Sequence, residues 1–267
     1  MTRALKAEFL KVRRSRTLLW TALVVAAYAI LSTVLNRVLL GDPNFAKSIA
    51  TGGPVFQKAV EAGFFELNWA NQLRVAVQGI TGTWGIMLFA FVTVYVFGRE
   101  YKDGTAKNML TLPVRRETFV VAKMIVVACW VFALTALSLT LHVIGLALLG
   151  VPGFDWNHVG SAAVDALEVT LLIYLTLPLV AWIAMIGHGY LRGMLFSLAA
   201  VGVGNGIATT SLSKYYPWNL PVHLAGASWL PLAPADLVPA SYLISIALFA
   251  VGVALAMRHV DTADNAA

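Results

Sequence analysis

The sequence is poor in charged residues, which account for 12% of its 267 positions, whereas 59% of the positions are hydrophobic. A typical soluble domain has about 25% charged and about 45–50% apolar residues. The composition therefore excludes an ordinary soluble domain. It also excludes a disordered chain, because disorder requires low hydrophobicity and a high net charge. Such a composition is typical of a helical polytopic membrane protein with little outside the membrane.

Cysteine and recognisable catalytic motifs are also scarce. The single cysteine, Cys129, cannot form an intrachain disulfide, and no Cys/His spacing resembles a metal site. The sequence contains no G-x-x-x-x-G-K-[ST] phosphate loop, so this chain cannot hydrolyse ATP by the P-loop route. It also lacks H-E-x-x-H, G-x-S-x-G and a convincing Ser/His/Asp set. We therefore expect no metal, no bound cofactor and no enzymatic activity in this chain.

Six uncharged stretches are long enough, or nearly so, to cross a bilayer as helices, which requires about 20 mostly apolar residues. They cover residues 17–36, 75–97, 124–154, 169–187, 193–213 and 237–257. A seventh stretch, residues 215–235, contains four prolines, which would leave backbone groups unpaired in hydrocarbon. We therefore predict six transmembrane helices and a re-entrant or interfacial external segment at residues 214–236.

Lysine and arginine are distributed unevenly between the two sides of these predicted spans. Fourteen of the 19 lie before the first span, around the second–third connection, or at Arg192 and Arg258. The positive-inside rule places this side, and with it both termini, in the cytoplasm. The same basic segments explain the net charge of +6 without a nucleic-acid partner. The basic start could be a signal peptide, but the apolar run continues through Leu35, which favours an uncleaved anchor.

Two segments outside the spans have amphipathic patterns. In residues 1–16, Leu5, Phe9 and Val12 recur at helical spacing, and most basic residues lie off that stripe. This pattern predicts a cytoplasmic interfacial helix whose basic side faces anionic headgroups, although a plain topology signal would look similar. In the external loop 37–74, apolar residues after Pro54 suggest a helix on the membrane that serves as a structural cap or contacts substrate.

The cytoplasmic segment 98–118 is the most informative part of the chain. Gly104 allows a turn, Thr105 can cap a short helix over residues 106–112, and Pro113 ends that helix. Met109 and Leu110 contribute to an apolar face on this helix. The periodicity alone fits a helix that docks onto a cytoplasmic partner and a solvated loop equally well.

These segments resemble the ABC-2-type transporter permeases. The basic start LKAEFLKVRRSRTLLW, residues 5–20, resembles the N-terminal segment of that family. The pattern REY-x-x-GT-x-K, followed by a proline, basic residues and a lysine that opens the third span, resembles the end of its second span. This chain supplies that pattern with Arg99, Glu100, Tyr101, Gly104, Thr105, Lys107, Pro113, Arg115, Arg116 and Lys123. The six predicted spans and the cytoplasmic termini agree with the family.

The resemblance implies a permease dimer, with an identical or a related second subunit, in the cell (inner) membrane of a bacterial-type cell. It implies two copies of a separate cytoplasmic ATPase that bind ATP and Mg, and an exported hydrophobic or amphipathic cargo such as an antibiotic or antimicrobial peptide. It also implies an ATPase-coupling interface, which the N-terminal helix touches as well. The residues of that interface are Arg99, Glu100, Tyr101, Gly104, Thr105, Lys107, Met109 and Leu110.

Several residues within the predicted spans are further candidates. The resemblance implies that cargo contacts the second and fifth spans, where Trp84 and Asn205 are candidates for the translocation path. Asp165 and Glu168 share a helical face and form either a functional pair within the membrane or an interfacial pair at its outer surface. His142 either takes up a proton or a ligand, or simply hydrogen-bonds to a neighbouring helix.

We thus predict an all-α permease subunit of an ATP-driven exporter. Residues 1–16 form the interfacial helix, 17–258 the six-helix transmembrane domain, and 259–267 a short cytoplasmic tail. Two alternatives stay open at this point: an ion-coupled secondary transporter that uses Asp165, Glu168 and His142, and a membrane scaffold that transports nothing. No inverted repeat is evident, which argues weakly against the secondary transporter.

Overall fold

The computed structural model is all-helical in the part of the chain that it describes. This part comprises residues 2–42, 65–104, 116–187, 189–226 and 237–262, together with 44, 45, 48, 51–53, 57 and 60. Its α-helices are α1 (Thr2–Arg13), α2 (Arg16–Leu40), α3 (Trp69–Thr81), α4 (Thr83–Lys102), α5 (Arg116–Leu148), α6 (Trp156–Ile186), α7 (Tyr190–Ile207), α8 (Leu220–Leu224) and α9 (Pro239–Thr262). The predicted all-α fold class is confirmed for these residues.

Four of these helices, α2, α5, α6 and α9, are long and apolar enough to cross a membrane. The pair α3 and α4, which is bent by 45° at a short break, forms a fifth candidate. Helix α7 is not among the candidates, because the polar Arg192 and Asn205 lower the mean hydropathy of its 18 residues. Its length of about 27 Å is close to the hydrocarbon thickness of about 30 Å. The count of six spans and the side on which the termini lie stay predictions.

The break between α3 and α4 divides what the sequence presents as one uncharged stretch. The amide of Gly82 donates to the carbonyl of Gln78 (2.9 Å), and the carbonyl of Gly82 accepts from the amide of Ile86 (3.2 Å). The break thus leaves neither group of Gly82 unpaired. The bend also requires a glycine at position 85, because a Cβ there would overlap the carbonyl oxygen of Ile80.

Helix α6 lies at the centre of the bundle and packs against α3, α4, α5, α7, α8 and α9. It contains Pro178, which has no amide to donate to the helical ladder. Helix α9 crosses α6 at this proline through Gly252, where a Cβ would lie only 2.6 Å from the backbone nitrogen of Leu179. The proline and the glycine together allow the two backbones to approach closely.

Some polar side chains inside the bundle form hydrogen bonds between helices. The indole of Trp130 donates to the hydroxyl of Thr21 (3.1 Å), which joins α5 to α2. His142 of α5 donates from Nδ1 to the carbonyl of Ser138 (2.8 Å), and its Nε2 lies 3.0 Å from the hydroxyl of Ser32 on α2. His142 therefore makes the hydrogen bond to a neighbouring helix that the sequence analysis included among its interpretations.

The predicted segments outside the spans are described only in part. Helix α1 occupies the predicted interfacial segment, and α2 and α3 extend into the predicted loop 37–74 from either side. Of residues 214–236, the described part contains the end of a 3-10 turn (Ser213–Tyr215) and α8, and Tyr216 donates its hydroxyl to the carbonyl of Ala200 on α7 (2.8 Å). Most of the predicted helix after Pro54, and all of the predicted helix 106–112, lie outside the described residues.

The close crossing of α6 and α9 predicts that a methyl group added at Gly252 destabilises the protein. Gly252→Ala should lower the free energy of unfolding by about 1–3 kcal/mol, because the added Cβ forces two backbones apart. Gly160→Ala is a matched control on α6, since a Cβ there meets nothing within 4 Å. Thermal unfolding of the detergent-purified variants measures both effects, and equal melting temperatures for the two variants would contradict this account of the crossing.

Candidate functional site

Four charged side chains from three helices meet at one end of the bundle. Glu8 and Lys11 lie on α1, Glu100 lies in the last turn of α4, and Lys123 lies near the start of α5. Glu8 is 2% exposed, Glu100 and Lys123 are each 5% exposed, and Lys11 is partly exposed. We refer to these four residues as the charge ring.

The charge ring alternates in sign around a closed set of ion pairs. Lys11 Nζ lies 2.5 Å from Oε1 of Glu8 and 2.6 Å from Oε1 of Glu100. Lys123 Nζ lies 3.0 Å from Oε2 of each glutamate. Lys123 also donates to the carbonyl of Val96 on α4 (3.0 Å), so all three of its ammonium donors are used. Because an unpaired charge is strongly destabilising away from water, this complete pairing allows the charges to be buried.

The surroundings of Glu8 and Lys11 keep both groups charged at neutral pH. Burial raises the pKa of Glu8, but the charge of Lys123 and the hydrogen bond from Lys11 outweigh it and hold that pKa below its ordinary value of 4.5. Burial lowers the pKa of Lys11, but the hydrogen bonds to Glu100 and Glu8 outweigh it and raise that pKa above 10.5. The pair of Glu8 and Lys11 is therefore a permanent ion pair at neutral pH.

Helix α1 presents one face to the bundle. Leu5, Glu8 and Val12 are spaced by three and four residues and share that face. Val12 is buried and Leu5 packs against the core. Phe9 lies at the edge of that face, on the side away from Glu8, and is 40% exposed. Two residues of the predicted apolar stripe, Leu5 and Val12, thus pack against the bundle, and Phe9 is the exposed one.

The residues next to Glu100 connect α4 to the start of α2. Arg99 donates from Nη1 to the hydroxyl of Tyr95 (3.2 Å), and its guanidinium lies 5.3 Å from the centre of that ring. The hydroxyl of Tyr95 is 2.6 Å from Oγ of Ser15. Ser15 caps α2, since its Oγ accepts from the amide of Thr17. Arg99 is therefore connected, through Tyr95, to Ser15 in the elbow between α1 and α2.

The same turn of α4 also contacts α9 and the start of α7. The ring of Tyr101 lies 5.9 Å from that of His259 on α9, and Lys102 Nζ lies 4.9 Å from the ring centre of Tyr190 on α7. A Cβ on Gly98 would lie 2.9 Å from the carbonyl oxygen of Gly189, so the turn before α7 rests directly on α4. Residues 98–102 thus contact α1, α5, α7 and α9 within about one and a half helical turns.

The structure describes four of the eight predicted ATPase-coupling residues. Arg99 and Tyr101 are half-buried, whereas Glu100 points into the bundle, so any contribution of Glu100 to coupling is indirect. Gly104 is exposed and has φ +67°, which confirms the predicted turn. Four predicted coupling residues lie outside the described part of the chain, namely Thr105, Lys107, Met109 and Leu110.

Sequence reasoning missed half of the charge ring. Glu8 and Lys11 were not candidates, and Lys123 was singled out only by resemblance. One signal was available, because Glu8 is the only acidic residue before Asp42 and lies among six basic residues in positions 1–16. A lone carboxylate in a basic amphipathic segment indicates a specific partner, since a helix on an anionic membrane gains nothing from it.

The two candidates for a translocation path line separate cavities at the break between α3 and α4. Trp84, which is 83% exposed, lines an apolar cavity of about 290 Å³ together with residues of α2 and α5 such as Tyr28 and Leu134. Asn205 lines a second cavity of about 240 Å³, whose wall includes Gln78 and Asn219. The break therefore has an apolar cavity and a more polar one beside it.

The carboxylates of Asp165 and Glu168 are both exposed on α6. Among the described residues, no contact joins either carboxylate to His142, and neither forms an ion pair. Asp165 lines a third cavity at the far end of the bundle, whereas Glu168 does not. Within the described part of the chain, no group of three or more His, Cys, Asp or Glu residues is placed to hold a metal ion.

Comparison with known proteins agrees with the motif analysis. Residues 4–204 match the sequence model of the family described as ABC-2 family transporter protein, which is more than half of the chain. The chain therefore belongs to this family of membrane transport permeases, as the resemblance predicted. It is 25% identical over 162 residues to the bacitracin transport permease protein BCRB of Bacillus licheniformis, covering 57% of this chain and 73% of the relative. No solved structure matches the chain.

The closed pairing of the charge ring predicts a large penalty for opening it. Lys123→Met leaves two buried glutamates with one lysine, and we expect the free energy of unfolding to fall by about 3–5 kcal/mol. Lys102→Met, which removes an exposed ammonium above a tyrosine ring, should cost less than about 1 kcal/mol. Thermal unfolding in detergent compares the two variants.

A double variant provides the control for this prediction. Adding Glu8→Gln to Lys123→Met again balances the charges, so we expect part of the lost stability to return. A Lys123→Met protein as stable as the parent, or a double variant less stable than Lys123→Met, would show that the four charges are not coupled.

The pKa shifts predict a broad pH plateau for the contribution of Glu8 and Lys11 to stability. Because the pKa of Glu8 is lowered, its contribution is complete above its ordinary value of 4.5 and disappears as the pH falls through the lowered value. Because the pKa of Lys11 is raised, its contribution is complete below 10.5 and disappears as the pH rises through the raised value. The difference in melting temperature between the parent and Glu8→Gln should therefore be constant from about pH 5 to about pH 10. A midpoint near neutral pH would refute this assignment.

Proposed function

We propose that this chain is the membrane subunit of an ATP-driven exporter. In this proposal, the charge ring transmits the movement of a separate ATPase subunit to the transmembrane helices. The observation that carries the proposal is the position of Glu100. It belongs to the family-like motif at the end of α4, yet its carboxylate is held by α1 and α5. Movement of the segment after α4 would therefore move three helices together.

We propose six spans, formed by α2, the bent pair α3–α4, α5, α6, α7 and α9, with both termini in the cytoplasm of a bacterial-type cell. Contacts at the end of α4 support an even number of crossings, because α1 contacts Glu100 and the end of α9 contacts Tyr101. A chain whose first and last helices reach the same end of the bundle crosses the membrane an even number of times. The basic residues at that end support its placement in the cytoplasm, with the spans in the cell (inner) membrane.

The partners follow from membership of the family. We propose that two copies of a cytoplasmic ABC ATPase bind ATP and Mg, and that a second permease subunit completes the transporter. The segment after Gly104 would contact the ATPase through Thr105, Lys107, Met109 and Leu110. Arg99 and Tyr101 would hold this segment to the α1–α2 elbow and to α9. Closure of the ATPases would then pull on all of these elements at once.

We propose an amphipathic cargo that passes the break between α3 and α4. The apolar cavity at Trp84 suits a hydrophobic part of such a molecule, and the cavity at Asn205 suits a polar part. The printed name of the Bacillus licheniformis relative, a bacitracin transport permease, supports an antibiotic-related cargo. Export would then provide resistance to the cargo.

Isolation of the intact transporter tests the proposal. We expect a mild-detergent pull-down from the native membrane to recover a soluble protein with a phosphate loop in a ratio of about one to one. Glu100→Gln should retain this ATPase, because Glu100 is buried, but should reduce cargo-stimulated ATP hydrolysis about tenfold, since one carboxylate of the ring no longer holds its lysines. Glu117→Gln, an exposed change at the start of α5, is the matched control.

Two outcomes would count against the proposal. Transport by Glu100→Gln at the parental level would remove the basis for coupling through the charge ring. Recovery of this chain without an ATPase, with transport that an uncoupler stops, would identify an ion-coupled transporter instead. Neutralising Asp165 and Glu168 would then be the next experiment.

A further inference from the structure

The more polar of the two cavities at the break between α3 and α4 has a wall without charge. Its volume is about 240 Å³, and it lies between the break, α7 and the segment that leads into α8. Among the described residues, no Asp, Glu, Lys, Arg or His lines it. Its polar side chains are all neutral, and they belong to Gln78, Thr81, Thr83, Asn205, Trp218 and Asn219.

Asn219 is held so that it offers the cavity only an acceptor. The residue is 7% exposed. Its Nδ2 donates to the carbonyl of Gly204 on α7 (2.9 Å) and to Oγ of Ser213 (2.8 Å). These two bonds use both hydrogens of the amide, and a carbonyl oxygen only accepts, so the orientation of the amide is fixed. Oδ1 of Asn219 accepts no hydrogen bond from any residue that the structure describes.

Trp218 supplies a donor in the same wall. The residue is 7% exposed, and its ring packs against those of Tyr216 and Phe196, with centres 5.4 Å and 5.8 Å away. Its indole N–H donates to nothing in the described part of the chain. Neither this N–H nor Oδ1 of Asn219 is among the polar atoms that are enclosed without a partner, so both reach open space. The cavity is the space that both residues line.

One acceptor and one donor in a single cavity select a ligand by its own hydrogen-bonding groups. An amide or a hydroxyl group donates and accepts, so it can satisfy both Asn219 and Trp218. An ionised carboxylate only accepts and leaves Oδ1 of Asn219 without a donor. An ammonium group only donates and leaves the indole of Trp218 without an acceptor. Either ion would therefore bind at the cost of a buried polar group that stays unpaired.

The depth of the cavity also opposes an ionised ligand. Helix α4 runs from Glu100 in the charge ring to Thr83 at the break over about 26 Å. Helix α7 runs from Tyr190, which contacts the same end of α4, to Asn205 over about 22 Å. The hydrocarbon layer is about 30 Å thick. In the proposed arrangement of spans, the cavity therefore lies in the outer half of this layer, where an ion needs a counter-charge that the wall does not provide.

We infer that this cavity binds an uncharged amide or hydroxyl group of the cargo and rejects ionised groups. The inference rests on the proposed function, since it takes the ligand to be the cargo. Asn219 accepts a hydrogen bond from the bound group, and Trp218 donates one to it. The apolar cavity at Trp84 is likewise lined by no charged residue that the structure describes, so it suits the hydrophobic part of the same molecule.

Three probes with one apolar tail and different head groups test this inference. Octanamide, octylamine and octanoate carry a neutral, a positive and a negative head group at neutral pH. Equilibrium dialysis measures their binding to the full-length chain in phosphatidylcholine nanodiscs, and empty nanodiscs supply the background. We expect octanamide to bind about tenfold more tightly than either ion, because each ion leaves one buried group unpaired.

The outcomes of this measurement separate the inference from the proposed function. Equal binding of the three probes, tighter binding of either ion, or no binding above that of empty nanodiscs would overturn the inference. The measurement uses the chain without an ATPase, so such a failure leaves the proposed coupling intact. Recovery of the chain without an ATPase would conversely leave the binding result intact.

A conservative variant of the donor tests the role of Trp218. Trp218→Phe keeps the ring and removes only the N–H. The advantage of octanamide over octylamine should disappear, because the wall no longer needs an acceptor, whereas its advantage over octanoate should persist. Trp20→Phe is the matched control, since Trp20 lies exposed on α2 and does not line the cavity. Equal loss of both advantages in Trp218→Phe, or the same effect of Trp20→Phe, would overturn the assignment.

An added charge tests whether the neutral wall sets the preference. Asn205 is exposed and lines the cavity, so Asn205→Asp introduces a carboxylate there. We expect this variant to bind octylamine about threefold more tightly than the parent, the gain of one partly exposed ion pair. Asn44→Asp adds the same charge at an exposed residue that does not line the cavity, and it should leave the binding of octylamine unchanged. An equal gain in both variants would show that general surface charge, and not this cavity, selects the probe.

Discussion

The burial of three charges at one end of the bundle constrains the rest of the structure. A charged side chain can leave water only if partners surround it, and Glu8, Glu100 and Lys123 have almost no contact with solvent. Their partners lie on three helices, so α1, α4 and α5 must arrive at one point with the correct faces turned inward. A helix that shifted by one residue would leave a buried charge without its counterpart. The charge ring therefore sets the register of the helices that meet there.

The helices beside the charge ring are also connected to one another. Residues 98–102 include Glu100 of the ring, contact α7 and α9 directly, and are connected to the α1–α2 elbow through the contact of Arg99 with Tyr95, so the helices are closely linked at this end of the bundle. The other end is built differently. There, α3 is bent away from α4 at Gly82, and cavities lie beside the break and between α3 and α6. One end of the bundle is thus closely packed around the charge ring, whereas the other end contains open space beside the break and between α3 and α6.

The composition and the length of the apolar stretches were sufficient to predict the class of protein and the approximate positions of its helices. The prediction of one span at residues 75–97 failed to anticipate the break at Gly82, because hydropathy carries no information about backbone direction. It also missed the start of α3 at Trp69, which depends on the side chain of Asn68 as a cap and on the indole bond to the carbonyl of Val151. The cap is local, but the indole bond depends on Val151, which is 82 residues away in the sequence.

The sequence by itself determined the membrane class, the all-helical fold, the basic side of the protein and the motif that shows its family. These properties follow from composition, periodicity and short patterns, which are local. The tertiary structure alone decided which charges meet, because Lys11 and Glu100 are 89 residues apart and Lys123 and Glu8 are 115 apart. It also separated Asp165 from Glu168, which share a helical face but of which only one lines a cavity. A helical pattern tells which residues share a face, whereas packing decides what that face meets.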